Sequence, residues 1–172
     1  LSAKYSVVIE PVYFDLSDHD QLKTAIKSIS SSKKTVDILV NNAGITYNAL
    51  FLMSSMARIK EVFEVNFFSP FLLSQYVAKI MIRQKKGSII NISSSAGIDG
   101  NAGRSVYGSS KAAMICTTKA MASELGEFGV RVNSIAPGMT QTSMLSSMSD
   151  KVIEETLLQS DMKRLGNPEE IA

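Results

Sequence analysis

The chain has 172 residues, 45% of them hydrophobic and 20% charged, which suits one globular domain with a substantial core. Its formal charge of +2 comes from interspersed acidic and basic residues, so the sequence offers no basic stripe for nucleic acid. No apolar run approaches the roughly 20 residues of a membrane span, and we expect neither a membrane anchor nor a signal peptide. A single cysteine and a single histidine disfavour a disulfide and metal catalysis, and favour a reducing, cytoplasmic compartment.

Apolar runs rich in β-branched residues alternate with longer helical patterns, which is typical of βαβ units around a parallel sheet. The runs predict strands at 7–14, 38–41, 88–93 and 130–136. Pro11 cannot donate a backbone hydrogen bond, so the first of these strands is expected at a sheet edge.

Helices are predicted after 16–20, over 59–83 and from about Val106 onward, with a glycine-containing loop between the third strand and the last helix. Ser17 is the expected N-cap of the first helix, and Gly87 is expected to end the second. Cys116 lies in an apolar stretch of the last helix, so we expect a buried, inert thiol.

Tyr107 and Lys111 are four residues apart on that last helix, so both side chains can point into one pocket. A free phenol titrates near pH ~10, and a cation beside it favours the ionised form. This combination is the one that a general acid/base requires. Taken alone, the pair is more often part of a solvated helix face.

The remaining polar motifs occur in a characteristic order, and all but one of them follow a predicted strand. Asn-Asn-Ala-Gly occupies 41–44, Asn66 lies on the second helix, Ser94 ends the third strand thirteen residues before Tyr107, and Pro-Gly at 137–138 ends the fourth. With these motifs in order, the chain resembles the short-chain dehydrogenase/reductase family. Within that family it is most similar to the 3-oxoacyl-[acyl-carrier-protein] reductase branch.

The resemblance implies an α/β fold: a Rossmann-like, doubly wound parallel sheet with helices on both faces, formed by residues 1–172 as one partial domain. It also implies a chain truncated at both ends, lacking the N-terminal Gly-rich βαβ unit and the C-terminal strand of the family. The Gly-rich turn is where a helix N-terminus would receive the pyrophosphate of a dinucleotide.

The resemblance further implies a catalytic set. Tyr107 would protonate the carbonyl oxygen and Ser94 would hold that oxygen by a hydrogen bond, although Ser93 and Ser95 are also candidates by residue type. Lys111 would tune Tyr107 and bind the nicotinamide ribose, and Asn66 would hold a water in a proton relay to the lysine.

Ligands bind beyond the carboxyl ends of parallel strands, and each matched loop follows a predicted strand. The implied cofactor-binding residues are Asp15, Leu16, Asn42, Ala43, Gly44, Tyr107, Lys111, Pro137, Gly138 and Thr140. NADPH is favoured by analogy with the matching branch, and NAD remains open.

The expected substrate is a carbonyl compound, small or bound to an acyl-carrier protein. Four basic residues could meet an acidic carrier, although a solvated surface explains each as well: Arg83, Lys85, Lys86 and Arg104. Family resemblance implies a homodimer or homotetramer. An alcohol, sugar or steroid dehydrogenase of the same family and a catalytically inactive fragment or scaffold are the open alternatives.

Overall fold

The computed structural model describes residues 5–31, 34–148 and 150–172. Its sheet has three parallel strands in sequential order: β1 (Ile38–Asn41), β2 (Gly87–Ile92) and β3 (Val130–Ile135). Their Ile- and Val-rich sequences suit a pleated, buried layer. The α-helices are α1 (His19–Ser31), α2 (Met56–Phe63), α3 (Ser69–Gln84), α4 (Ala96–Asp99), α5 (Ser105–Leu125) and α6 (Asp150–Gln159). Single 3₁₀ turns cover Phe51–Met53, Gly126–Phe128, Ser143–Ser147 and Pro168–Glu170.

The core lies on one face of the sheet. Leu22 of α1 and Met81 of α3 pack there against Ile89 of β2, and the inner side chains of α5 flank the same cluster. Because successive strand residues point to opposite faces, the other face carries Ile38 and Val40, which are 63% and 51% exposed. The α/β class is therefore confirmed, and the described core helices cover one side of the sheet.

The predicted first strand is wrong. Segment 7–14 belongs to no strand of the described sheet, and most of its side chains are exposed, with Val8 88% and Tyr13 90% exposed, while Phe14 packs against the core. A strand forms only when its backbone hydrogen bonds to a neighbouring strand, and this segment pairs with none of the three described strands. Its β propensity alone therefore does not make it a strand.

Two helix ends also differ from expectation. Asp18 caps α1 in place of Ser17, because its Oδ1 accepts hydrogen bonds from the backbone N–H groups of Asp20 and Gln21, both at 3.0 Å. Lys85 ends α3 in the left-handed region at φ 55°, and Gly87 already belongs to β2.

Cys116 is exposed, which corrects the expected buried thiol. Met114 and Thr118 are the buried residues of that stretch. A residue two positions from both lies on the opposite side of a helix with 3.6 residues per turn. The apolar neighbours in sequence therefore misled the prediction.

Helices α2 and α3 join through a π-helical segment, Glu64–Phe68, into one continuous helix from Met56 to Gln84. By length and composition alone this 29-residue helix could cross a membrane, with a mean hydropathy of 1.2 in its most apolar stretch, although the sequence analysis expected no span. Much of that stretch is buried against the sheet and α5, as in the core helix of a soluble protein, so the finding is weak evidence for a span.

Candidate active site

The carboxyl ends of the three strands meet at one edge of the sheet and lead into the matched loops. Ser93 N–H donates to the carbonyl of Ile135 at 2.7 Å, and Ser95 N–H donates to the carbonyl of Pro137 at 3.0 Å. These bonds continue the pairing of β2 with β3 past the last strand residue. The loop after β2 and the loop that begins at Pro137 therefore lie side by side.

Helix α5 brings Tyr107 and Lys111 to this edge. Both are buried, with Lys111 only 5% exposed, and the lysine Nζ lies 5.9 Å from the centroid of the tyrosine ring. Lys111 Nζ donates to the carbonyl of Ile92 at 2.8 Å and pairs with no carboxylate in the described ranges. Burial without an anionic partner lowers the pKa of Lys111 to about 8.

Asn66 lies in the π-helical segment and is 1% exposed. Its amide donates to the carbonyl of Ile45 at 2.9 Å and to Ser110 Oγ at 3.0 Å, while its Oδ1 accepts from the N–H of Ile45 at 2.8 Å. Ser110 in turn donates to the carbonyl of Tyr107 at 2.7 Å. Asn66 therefore connects the loop after β1 to the turn of α5 that carries the tyrosine.

Gly44 lies beside the ammonium group of Lys111. A Cβ at this position would lie 3.2 Å from Lys111 Nζ and 3.3 Å from Asn66 Oδ1. Asn42 and Ala43, just before it, are exposed at the sheet edge. The backbone of 42–44, Lys111 and Asn66 thus share one side of the site, which is the side that the family resemblance assigns to the nicotinamide ribose.

Ser94 lies just after β2, at the start of the turn that leads into α4. Its Oγ accepts a hydrogen bond from the N–H of Ala96 at 3.3 Å, and its own hydrogen has no acceptor within the described part of the chain. The expected loop after β2 contains α4, which packs on α5 at van der Waals distance. A Cβ on Gly108 would lie 2.6 Å from the carbonyl oxygen of Ala96, so glycine is required for this contact.

A chain of buried amides and hydroxyls crosses the sheet beneath the site. Asn41 donates to Ser74 Oγ and to Asn91 Oδ1, each at 2.8 Å, and Asn91 donates to Thr118 Oγ1 at 2.8 Å. Asn41 and Asn91 are register partners in β1 and β2, so the chain ties two strands to α3 and α5. The sequence analysis did not predict this chain of hydrogen bonds. An Asn within each of two apolar strand sequences was the signal that could have revealed it.

The predicted adenine residues stand apart from this cluster. Asp15 Oδ1 accepts from Ser17 Oγ at 2.7 Å and from its N–H at 2.8 Å, and these hydrogen bonds lower the pKa of Asp15. Leu16 packs its side chain against the core. Both lie before α1 and contact none of the catalytic set among the described residues.

The loop after β3 is held by a later segment of the chain. Thr140 forms a parallel bridge with Gly166, and Gln141 N–H donates to the Gly166 carbonyl at 2.8 Å. Pro137 is half-buried and Gly138 is exposed beside it. The predicted nicotinamide-side residues Pro137, Gly138 and Thr140 therefore sit in a loop anchored at both ends.

Arg104 is the residue whose surroundings differ most from expectation. It is half-buried, and its guanidinium carbon lies 4.8 Å from the centroid of the Tyr107 ring. The interpretation as a solvated surface charge is therefore wrong for this residue. Of the other basic candidates, Lys86 pairs with Asp37 at 3.2 Å and stays exposed.

Comparison with known proteins identifies the family of the chain. The family described as short chain dehydrogenase matches residues 1–153. A 3-oxoacyl-[acyl-carrier-protein] reductase from Thermotoga maritima is 38% identical over 164 residues, covering 95% of this chain and 67% of the relative. An acetoacetyl-CoA reductase from Acinetobacter is 40% identical over 161 residues, covering 94% of this chain and 65% of the relative.

Solved structures give the same result. A putative NAD(P)-dependent gluconate 5-dehydrogenase from Beutenbergia cavernae, with bound NADP, superimposes with a TM-score of 0.88 at 31% identity, covering 93% of this chain and 65% of that one. A gluconate 5-dehydrogenase from Burkholderia cenocepacia, in complex with NADP and tartrate, superimposes at 0.86 with 29% identity, covering 92% and 63%. The chain thus spans about two thirds of the length of these proteins.

The parallel sheet and the helices packed on it are those of a Rossmann-type fold, and the family match and the relatives place the chain among the NAD(P)-dependent oxidoreductases. With 1–153 matched, the chain belongs to the short-chain dehydrogenase family, and its relatives include 3-oxoacyl-[acyl-carrier-protein] reductases.

Proposed function

We propose that this site reduces a carbonyl group to an alcohol with NADPH, and that the preferred substrate is a 3-oxoacyl thioester carried by an acyl-carrier protein. The observation that carries the proposal is the convergence of Ser94, Tyr107, Lys111 and Asn66 at one edge of the sheet. The names of the sequence relatives support the substrate, and the NADP in the solved relatives supports the cofactor.

The residues at the sheet edge fit a dinucleotide on the nicotinamide side. Gly44 permits a close backbone approach beside Lys111, whose Nζ uses one hydrogen for Ile92 and keeps two others for ribose hydroxyls. Asn42, Ala43, Pro137, Gly138 and Thr140 would line the nicotinamide and ribose, and Asp15 and Leu16 the adenine. When bound, the cofactor supplies the hydride.

The chain's own residues manage the proton. As negative charge builds on the carbonyl oxygen, the Tyr107 hydroxyl gives it a proton and Ser94 Oγ–H donates a hydrogen bond to it. Neither hydroxyl hydrogen is donated to another described residue. Asn66 uses both amide hydrogens internally, so it contributes only acceptors to a water that relays protons toward Lys111.

Replacing Tyr107 with Phe tests the assignment. Loss of the proton donor should reduce turnover by at least ~100-fold while NADPH affinity stays nearly unchanged, because the hydroxyl is the only group removed. Tyr76→Phe, on α3, is the matched control and should keep full turnover. Near-normal turnover in Tyr107→Phe, with acetoacetyl thioester as substrate and NADPH absorbance as readout, would remove the proposal.

An alcohol or sugar dehydrogenase is the second candidate, since the superimposed structures are named gluconate 5-dehydrogenases. A substrate panel with gluconate and simple alcohols in the oxidative direction separates the two. We further propose a homodimeric or homotetrameric, cytoplasmic protein, to be tested by sedimentation and fractionation. A folded chain that binds neither NADPH nor NADH would instead support the inactive-fragment alternative.

A further inference from the structure

Arg104 stands at the N-cap position of α5, one turn before Tyr107. Its guanidinium lies over the tyrosine ring at 4.8 Å, within the range of a cation–π contact. The positive charge of Arg104 therefore lies against the ring whose hydroxyl is the candidate proton donor.

The guanidinium has no polar partner within the described ranges. Among the residues that the structure describes, it forms no ion pair, and its buried Nε has no hydrogen-bond acceptor. Arg58 provides the comparison, because its guanidinium also lies over a tyrosine ring, that of Tyr47 at 5.2 Å, but pairs with Glu61. Partly buried charges are normally paired. The described residues provide no acceptor for the Arg104 guanidinium, so a ligand could provide one.

Other unpaired polar atoms lie on the same segments. Ser105 Oγ and Thr46 Oγ1 are buried without a hydrogen-bond partner, and the loop that contains Thr46 is tied to the turn before Arg104 by the bond from Ala49 N–H to the Gly103 carbonyl at 2.9 Å. The turn before Tyr107 is thus rich in unused hydrogen-bonding capacity and has a net positive charge. A ligand oxygen is the complementary group.

We propose that Arg104 binds a second oxygen of the substrate, two carbons from the reacting carbonyl, and so selects 3-oxoacyl compounds over simple ketones. The proposal rests on the proposed function of Tyr107. The guanidinium covers the ring of the proton donor. A substrate oxygen a few bonds from the reacting oxygen would therefore lie within hydrogen-bonding reach of Arg104. Both a 3-oxo acid carboxylate and a 3-oxo thioester carbonyl present such an oxygen.

Kinetics of Arg104→Gln with three small substrates test the proposal. For acetoacetate and for S-acetoacetyl-N-acetylcysteamine, kcat/KM with NADPH should fall about 10- to 100-fold, as expected for a lost charge-assisted hydrogen bond. For pentan-2-one, which lacks the second oxygen, it should stay within about twofold. Arg104→Lys should recover part of the loss, more for the carboxylate than for the thioester. Arg83→Gln, an exposed arginine on α3, is the control and should change none of the three.

Two kinetic outcomes would overturn the proposal. An equal loss for all three substrates would mean that Arg104 only holds the Tyr107 ring in place. Unchanged kinetics for all three small substrates, with a loss only when acetoacetyl linked to a carrier protein is assayed beside them, would mean that Arg104 docks the carrier.

A binding measurement separates this inference from the proposed function. Saturation-transfer NMR should detect acetoacetate on the unmodified chain and a loss of at least about 10-fold in its affinity for Arg104→Gln, without any turnover. If no carbonyl is reduced but Arg104-dependent acetoacetate binding remains, the proposed function fails and the site for the second oxygen stands. Equal acetoacetate affinity in both proteins would refute the inference whatever the activity.

Discussion

Removal of the buried lysine should change the way in which the stability of the folded chain depends on pH. Burial lowers the pKa of Lys111 from its ordinary 10.5 to about 8, so the fold disfavours the ammonium form. The difference between 10.5 and about 8, at ~1.36 kcal/mol for each pH unit, is on the order of 3 kcal/mol. Lys111→Met avoids this cost but loses the charge-assisted bond to Ile92, worth ~1.5–3 kcal/mol. The pH dependence of the difference is therefore more informative than its size at one pH.

The sign follows from proton binding. Between pH ~8 and ~10.5 the unfolded chain binds more protons at this lysine than the folded chain does, so wild-type stability should rise with pH across that window. Lys111→Met has no titrating group at this position, so this pH-dependent contribution to its stability is absent. The free-energy difference between the two proteins should therefore move by about 3 kcal/mol in favour of the wild type from pH 7.5 to 10.5.

Urea unfolding followed by far-UV circular dichroism at several pH values measures this difference. Lys119→Met, an exposed position on the same helix, is the matched control and should differ from wild type by a constant amount. A difference between wild type and Lys111→Met that does not change with pH would show that the lysine is not desolvated, and would refute the reasoning.

Two further substitutions test the support of the site. Gly108→Ala should cost about 1–3 kcal/mol of stability and lower turnover, because the new methyl group would meet the Ala96 carbonyl at 2.6 Å; thermal melts and NADPH assays check this. Asn91→Leu should cost about 2 kcal/mol in urea unfolding, because Asn41 and Thr118 lose a buried partner. The exposed Ser109→Ala and Asn133→Leu are the controls, and variants no less stable than their controls would contradict both predictions.

Local patterns were sufficient for much of the fold. The strand Ile38–Asn41 and the helix spacing of Tyr107 and Lys111 follow from short-range periodicity, which depends on the backbone geometry of one element. The buried side of α5 follows the same rule, and Cys116 was misplaced because apolar neighbours were weighed above that spacing.

The sequence by itself determined the residue types and order that define a short-chain dehydrogenase, and the helix that presents Tyr107 with Lys111. Tertiary structure decided the rest, because partners distant in the chain are invisible to a local pattern. Segment 7–14 has β propensity but pairs with none of the described strands, so it forms no strand. Lys111 meets the Ile92 carbonyl, and Arg104 meets the Tyr107 ring without an acceptor among the described residues, because the sheet and α5 pack as they do.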